Sequence, residues 1–411
     1  MKMAIIGGGA AGLMAAAAAS ETDGAEVTVL ERNDAPGRKI LLTGGGRCNL
    51  TTGLSDIREI LARYPRGGRF LSSAMRRFPP SAVRDWFEGH GVPLKTEDDG
   101  RVFPRSDDGR DVVAVFERLL VPPRARIITA ATVERVVRRT DGRFDVSVAG
   151  RPQPLSVDRT IIATGGRAYR QTGSTGDGYA FASSLGHTIT RLDPSLSGLT
   201  VADGWITELS GLSFAQAKLT ADSDRQLSWT GPFVFTHHGL SGPVAFALSA
   251  LLAHRSFGPG NPLDLTVDLF PNLSRDELHR KLADLLKDNA RHSFRNVLSE
   301  LVPKRLVAVA CTSLGINPDR RAAEVGRRET RQATDWLKTI PLHLSGRRAG
   351  EEFVTAGGVD LSEVNPSTME SKVCPGLFLA GEVLDIDGFT GGFNLQAAWC
   401  TGRLAGESAA S

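Results

Sequence analysis

The sequence predicts an α/β protein built on a parallel sheet, and three observations point there. A strand–helix–strand unit opens the chain, a buried strand returns at Arg159–Thr164, and a strand, glycine turn and helix close it. Met3–Gly7 is a short apolar run of β character, Ala10–Ser20 consists of strong helix formers, and Glu26–Glu31 is a second strand bounded by Asp23 and Gly24. Ser81–Gly89 reads as a helix opened by Pro79 and Pro80, Asp111–Leu120 as another, and Arg126–Ala130 as a strand. Thr132–Arg139 and Arg143–Val148 flank Asp141–Gly142, a hairpin signature. From about Arg191 the texture changes to β-like segments (Ala217–Thr220, Pro232–Thr236, Leu263–Leu269) without alternating helices. Ser274 to Glu277 forms a capping-box pattern ahead of a helical face made by Leu278, Leu282, Leu285 and Leu286. The arginine-rich stretch Arg320–Arg331 reads as a solvated helix face, Gly376–Ala380 as a strand and Asn394–Glu407 as a helix.

Composition narrows the class. A chain of 411 residues with 41% hydrophobic and 23% charged residues has material for two or three globular domains. Basic and acidic residues nearly cancel, 49 against 46, so no nucleic-acid or membrane partner is expected. Forty arginines against nine lysines fit genome composition as readily as anion binding. Cys48, Cys311, Cys374 and Cys400 lie far apart with no CxxC pair. That argues against a disulfide framework, a zinc site or a CxxC redox centre, and favours a reducing cytoplasm. Met3–Ala19 superficially resembles a signal peptide, but Gly7, Gly8, Gly9 and Gly12 interrupt it and its second half is alanine. No other stretch is expected to span a bilayer.

Gly7-Gly8-Gly9-Ala10-Ala11-Gly12 matches GxGxxG where the physics requires it, after a strand and at the start of a helix. In a Rossmann-like fold Gly7 permits the turn, Gly9 lets a pyrophosphate approach the backbone, and Gly12 lets helix and sheet pack closely. Helix N–H groups and the positive helix end hold the phosphates. Glu31, at the end of the second strand, is placed to accept hydrogen bonds from an adenosine ribose and to repel a 2′-phosphate.

FAD and NAD share this fingerprint. The C-terminal Gly381-Glu382, followed by Gly391-Gly392-Phe393-Asn394-Leu395-Gln396, offers a hydroxyl-binding carboxylate and helix N–H groups to a second part of the same ligand. A flavin has such a part, and a helix N-terminus near its N1 and C2 carbonyl stabilises the reduced form. No second GxGxxG follows a strand, so NAD(P)H, if used, must visit the flavin as a transient reductant. Cys48, a lone thiol, does not suit a disulfide-reductase mechanism. His237 and His238 lack further ligands at metal spacing. Asp385 and Asp387 either bind ribitol or cap the glycine turn.

The chain resembles, nearly end to end, the bacterial NAD(P)/FAD-dependent oxidoreductase family that includes aminoacetone oxidase, YhiN and BaiN. The carriers are GGGAAGLMAA from Gly7, GRKILLTGGGRCNLT from Gly37, TIIATGG from Thr160, TGSTGDGYAFA from Thr172 and FTHHGLSGP from Phe235. TAGGVDLSEVNPSTMESK from Thr355 and LFLAGEVLDIDGFTGGFNLQAAWCTGRLAG from Leu377 complete them. The resemblance implies a FAD-binding domain assembled from residues 1–190 and 355–411. It also implies an inserted β-rich domain over 191–273 and 339–354, and a helical subdomain over 274–338. It further implies that Arg38, Lys39, Gly45, Gly46, Arg47, Cys48 and Asn49 line the cofactor and that Val133 presents its backbone to the adenine. Arg38 and Lys39 have the charge to neutralise pyrophosphate, and Gly44-Gly45-Gly46 allows backbone near a flat ring. Arg32, beside Glu31, and Thr164 and Gly165, at the end of the returning strand, complete the candidate contacts. His237 matches the Phe-Thr-His segment and is the candidate proton donor or substrate anchor, with a structural histidine as the alternative.

The expected function is FAD-dependent electron transfer to or from a small organic substrate. Amine oxidation with O₂ competes with reduction of an activated carbon–carbon double bond. An RNA-acting flavoprotein using the Arg320–Arg331 surface and a non-catalytic FAD sensor are the rival classes.

Overall fold

A computed structural model describes residues 1–221, 227–348 and 350–411. The chain divides into two units, Met1–Ser195 with Gly350–Ser411, and Leu196–Ala349.

The first unit is built on five parallel strands: β1 (Lys2–Ile6), β2 (Glu26–Leu30), β3 (Ala125–Ile128), β4 (Arg159–Ile162) and β5 (Leu377–Leu379). Their spatial order is β5-β4-β1-β2-β3. The order reverses at β1, so a crevice opens at its carboxyl end between β1 and β4. In open α/β sheets that is where ligands bind. The expected α/β fold, with a strand from each chain end in one sheet, is thus present.

Helix α1 (Ala10–Ser20) is buried on every side from Ala11 to Ala19, which explains a sequence with no polar face. It lies against the sheet and also against α2 (Phe393–Ala410), the last helix of the chain. The helix opened by Pro80 runs Pro80–Gly89, with proline at a position whose N–H has no intrahelical partner anyway. The hairpin around Asp141–Gly142 pairs Val133–Arg138 with Phe144–Val148 and gains a third strand, Leu155–Val157, too short to show a period in the sequence. A two-stranded antiparallel ribbon, Asp193–Ser195 with Val354–Ala356, joins the stretches where the chain leaves this unit and returns to it.

The second unit contains a closed six-stranded antiparallel barrel in the order Leu199–Val201, Gly239–Ser241, Ser228–Phe235, Ser213–Ala221, Leu263–Asp268 and Ile340–Arg347. Helices Arg275–Asp288, Phe294–Leu298, Lys304–Leu314 and Arg327–Lys338 share its hydrophobic cluster. The capping box forms as expected: Glu277 N–H donates to Ser274 Oγ at 3.2 Å and Ser274 N–H to Glu277 Oε2 at 2.7 Å. The Arg320–Arg331 stretch is not one helix face. The helix starts only at Arg327, because Gly326 is its N-cap and Glu329 closes back onto the Gly326 N–H at 2.8 Å. No helix among the described residues is long and apolar enough to cross a membrane.

Candidate functional site

Each fingerprint glycine faces a different constraint. Gly7 turns the chain off β1 with φ +105°, and a Cβ there would lie 2.6 Å from the Ala163 carbonyl oxygen at the end of β4. A Cβ on Gly12 would lie 1.9 Å from the Gly7 carbonyl oxygen, so helix and turn touch backbone to backbone. Gly9 has no atom within 4 Å of such a Cβ. It is the N-cap of α1 and carries no side-chain cap. Two glycines serve packing, and the third leaves open space at an uncapped helix end that suits a phosphate.

Glu31 is buried beside this turn. Its Oε2 accepts from Gly8 N–H at 2.8 Å, and its Oε1 accepts from the Asn33 N–H at 2.8 Å and Nδ2 at 2.6 Å. The two Asn33 donors fill Oε1, so the lone pair left for a ribose is on Oε2. Ala131 N–H donates to the Glu31 carbonyl at 2.8 Å, which brings the stretch before Val133 alongside. Arg32 reaches Thr175 Oγ1 at 2.6 Å and Asp177 at 2.9 Å, tying it to the helix Asp177–Ser184. Gly165 follows β4 with φ +74°, and the neighbouring Thr164 Oγ1 is buried without a hydrogen-bond partner.

The segment after Gly37 is the second wall. Arg38 pairs with Asp34 on the surface. Lys39 Nζ lies 2.6 Å from Glu382 Oε2, and Glu382 Oε1 accepts the Thr355 N–H at 2.9 Å. Gly44, Gly45 and Gly46 have φ of +61°, +71° and +93°, and a Cβ on Gly45 or Gly46 would meet nothing closer than 3.9 Å. A Cβ on Gly45 or Gly46 would thus enter open space, whereas one on Gly44 would lie 2.7 Å from Phe103 Cε1. Arg47 pairs with Glu97 at 2.7 Å, and its guanidinium lies 3.9 Å from the Phe103 ring centroid. Cys48 is fully buried, and burial pushes its thiol up to about 12. Asn49 Oδ1 is buried without a partner. Asn49 Oδ1 is an acceptor that a bound ligand can satisfy, whereas Thr164 Oγ1 faces Gly178, where a Cβ would lie 1.9 Å from it.

At the other chain end, Gly381 has φ +76°, and a Cβ there would lie 2.7 Å from Ala11 Cβ. Gly392 is the N-cap of α2, again with no side-chain cap and no acidic residue in the first turn. Asn394 does not cap α2; its side chain closes the preceding turn through Gly388 N–H at 2.8 Å and the Gly388 carbonyl at 2.7 Å. Leu395 packs against the core. The Gln396 side chain is buried between Thr51 Oγ1 at 2.6 Å and the Phe78 carbonyl at 2.9 Å, so it joins segments of protein.

Close contacts pair Ala11 with Gly402 and Ala15 with Gly406, so α1 and α2 run parallel. Ala10 then lies level with Thr401, and α2 starts about eight residues, or ~12 Å, before α1 along their common direction. Two uncapped positive helix ends, offset along one axis, can serve two separated parts of one extended anion.

Asp385 and Asp387 both bond to the stretch that leaves this unit, and Asp385 Oδ1 is buried without a partner. Asp385 Oδ2 accepts from Thr190 Oγ1 at 3.0 Å. Asp387 is fully buried, accepts from Ser195 Oγ at 2.6 Å, and is gripped by Arg66. Burial pushes the Asp387 carboxyl above its ordinary range, against the pull of Arg66. Together with Glu382 these carboxylates anchor the segments that form the crossing ribbon. Sequence reasoning missed Tyr64, Arg66 and the Gly402/Gly406 pair; only the last carried a signal, two glycines one helical turn apart.

His237 lies exposed in the turn between barrel strands Ser228–Phe235 and Gly239–Ser241 of the second unit. Among the described residues there is no cluster of His, Cys, Asp or Glu that could hold a metal.

The family described as the HI0933-like protein Rossmann domain matches residues 1–408. A 3-dehydro-bile acid delta(4,6)-reductase of Clostridium scindens is 33% identical over 413 aligned positions, covering 100% of this chain and 99% of that protein. A ribosomal RNA dihydrouridine synthase of Escherichia coli is 29% identical, covering 96% of this chain and 94% of its own length. Among solved structures, the quinol fumarate reductase FrdA of Escherichia coli superposes with a TM-score of 0.52 at 17% identity, over 100% of this chain and 70% of that one. That last likeness is one of fold.

Proposed function

The chain belongs to the HI0933-like family, and we propose that it is a FAD-dependent reductase of carbon–carbon double bonds conjugated to a carbonyl. The observation that carries the cofactor reading is Gly9: it stands at the uncapped start of α1, in the crevice beside β1, with room that its neighbours Gly7 and Gly12 lack. In this reading the N–H groups at Gly9–Gly12 hold the pyrophosphate, Glu31 the adenosine ribose, Glu382 and Lys39 the ribityl region, and Gly45, Gly46, Asn49 and the N-terminus of α2 the flavin. FAD, when bound, supplies two-electron transfer between a donor and the substrate. The protein orients it, excludes water and stabilises the charge it gains.

The reaction class is drawn from the names of the two relatives. A delta(4,6)-reductase and a dihydrouridine synthase each saturate a carbon–carbon double bond, one in a steroid and one in a pyrimidine. A small conjugated ketone as substrate, NAD(P)H as transient reductant and a cytoplasmic setting complete the reading; the four free, buried thiols suit that setting.

A second reading, with an RNA uridine as substrate, is favoured by charge. Residues 274–338 carry 14 Arg or Lys against nine Asp or Glu, although the whole chain is only +3. Arg321, Arg327 and Arg328 are exposed there and form no ion pair among the described residues, whereas Arg320 pairs with Glu329 and Arg331 with Asp276.

One experiment tests both. Purified protein is identified by its released chromophore and bleached anaerobically near roughly 450 nm, where oxidised flavins absorb, with NADH or NADPH. The reduced protein is then mixed with a conjugated steroid ketone or with uridine-containing RNA. Reoxidation by the ketone supports the first reading and reoxidation by RNA the second. Bleaching by amines instead of NAD(P)H points to amine oxidation, and a colourless protein that takes up no FAD overturns the cofactor reading.

A further inference from the structure

The turn leading into α2 is held by a short stretch remote in sequence, Arg63–Gly67. Phe389 N–H donates to the Arg63 carbonyl at 2.9 Å, and the Tyr64 hydroxyl donates to the Phe393 carbonyl at 2.7 Å. A Cβ on Gly67 would lie 2.5 Å from Ile386 Cγ1. Between these contacts Arg66 holds Asp387 with two guanidinium N–H groups, the Nε bond being 2.5 Å, while Ser195 Oγ donates to the same carboxylate. Tyr64 also meets Phe393 edge to face, with ring centroids 6.1 Å apart.

A buried ion pair is a poor way to gain stability, since apolar residues of similar volume usually serve as well. What a bidentate Arg–carboxylate fork adds is direction. Here it fixes the turn Ile386–Gly392, and Tyr64 fixes the first residue of the helix that follows. That helix start carries no side-chain cap. A helix end pinned from outside yet left uncapped keeps its N–H groups available to an acceptor that is not protein. The sensitivity of such an electrostatic contact to orientation makes the pins part of the site's function.

We propose that Tyr64, Arg66 and Asp387 are positioning residues that hold the uncapped N-terminus of α2 in the orientation stabilising charge on bound FAD, and so help set its reduction potential without touching it. This rests on the FAD reading above. Reduction adds negative charge to the isoalloxazine, so a loosened helix end stabilises the reduced form less and the potential falls.

The test uses full-length protein loaded with FAD. Tyr64→Phe keeps the ring and removes one hydroxyl donor; Asp387→Asn keeps shape and acceptor but removes the charge. Bound FAD, thermal melting and the reduction potential by dye equilibration are measured for each. The ratio of reduced to oxidised FAD at a fixed dye potential is expected to fall roughly three- to tenfold, about 15 to 30 mV for a two-electron couple. A purely structural role would lower the melting temperature and leave that ratio unmoved. Folded, loaded Tyr64→Phe protein with the wild-type ratio overturns the inference, and it decides alone if Asp387→Asn does not fold. Loss of FAD from folded Tyr64→Phe protein while the wild type stays loaded supports it. Wild-type protein that takes up no FAD overturns the functional reading itself.

Discussion

A Cβ on Gly406 would lie 2.2 Å from the Ala15 carbonyl oxygen, and one turn earlier a Cβ on Gly402 would lie 2.4 Å from that of Ala11. The two ends of the chain therefore meet as helix backbones in contact. In an exposed helix, replacing glycine by alanine stabilises by ~1 kcal/mol. Here the sign reverses, because the obstacle is backbone and cannot swing aside. Gly402→Ala and Gly406→Ala should each cost about 1–3 kcal/mol, the range for overpacking. Denaturation midpoints measure this, and a midpoint raised by either change would show that α1 and α2 do not pack this way.

The fingerprint glycines separate folding from binding. Gly9→Ala places its methyl in open space at φ −87°, so stability should stay within ~0.5 kcal/mol of wild type. FAD affinity should fall at least roughly tenfold, since the methyl occupies the phosphate approach. Gly12→Ala, facing the Gly7 carbonyl oxygen at 1.9 Å, should abolish soluble, folded protein. Flavin content and melting temperature of the two variants test this together. A Gly9→Ala protein that binds FAD like wild type would remove Gly9 from the site.

The parallel sheet and its glycine turn were legible because strand, glycines and helix follow one another within a few residues, and local chemistry dictates each. The helix Pro80–Gly89 and the capping box at Ser274 were legible for the same reason. The roles of Gln396, Asp385 and Asp387 were not. A buried glutamine bridging Thr51 to Phe78 and a buried carboxylate held by Arg66 depend on partners more than 300 residues away, and no spacing rule encodes them. The arginine content of Arg320–Arg331 suggests one helix face, but Gly326 starts the helix instead of sitting inside it.

Every cysteine is buried, and burial raises the thiol pKa of each, with Cys48 and Cys400 pushed up to about 12. The thiolate is the reactive form, so native protein should react slowly at every position. A thiol reagent at pH 8 should register almost no fast titre before denaturation and four thiols after it. Rapid native modification of Cys48 would place it on an accessible wall and reopen a thiol role beside the cofactor.

His187 ties Thr188, at the head of the crossing segment, to the loop containing Glu363 and Ser371. Its ring is buried, with Nδ1 3.0 Å from Glu363 Oε2 and Nε2 2.8 Å from Ser371 Oγ. The N–H groups of Cys374 at 2.7 Å and Val373 at 3.2 Å already occupy the Ser371 lone pairs, so the serine hydrogen points at Nε2 and the neutral ring donates through Nδ1. Burial lowers the His187 pKa, with Glu363 pulling the other way. A histidine whose folded pKa lies below its unfolded value of ~6.5 contributes stability that is complete above that pH. As pH falls below it the unfolded chain takes up the proton first, and the contribution is lost down to the folded pKa. His187→Gln should therefore be less stable than wild type at pH 7.5, and the difference should shrink steadily between pH 6.5 and 5. Urea denaturation of both proteins across that range provides the measurement. A difference that stays constant, or grows toward acid, would mean that His187 is not held neutral in the folded protein.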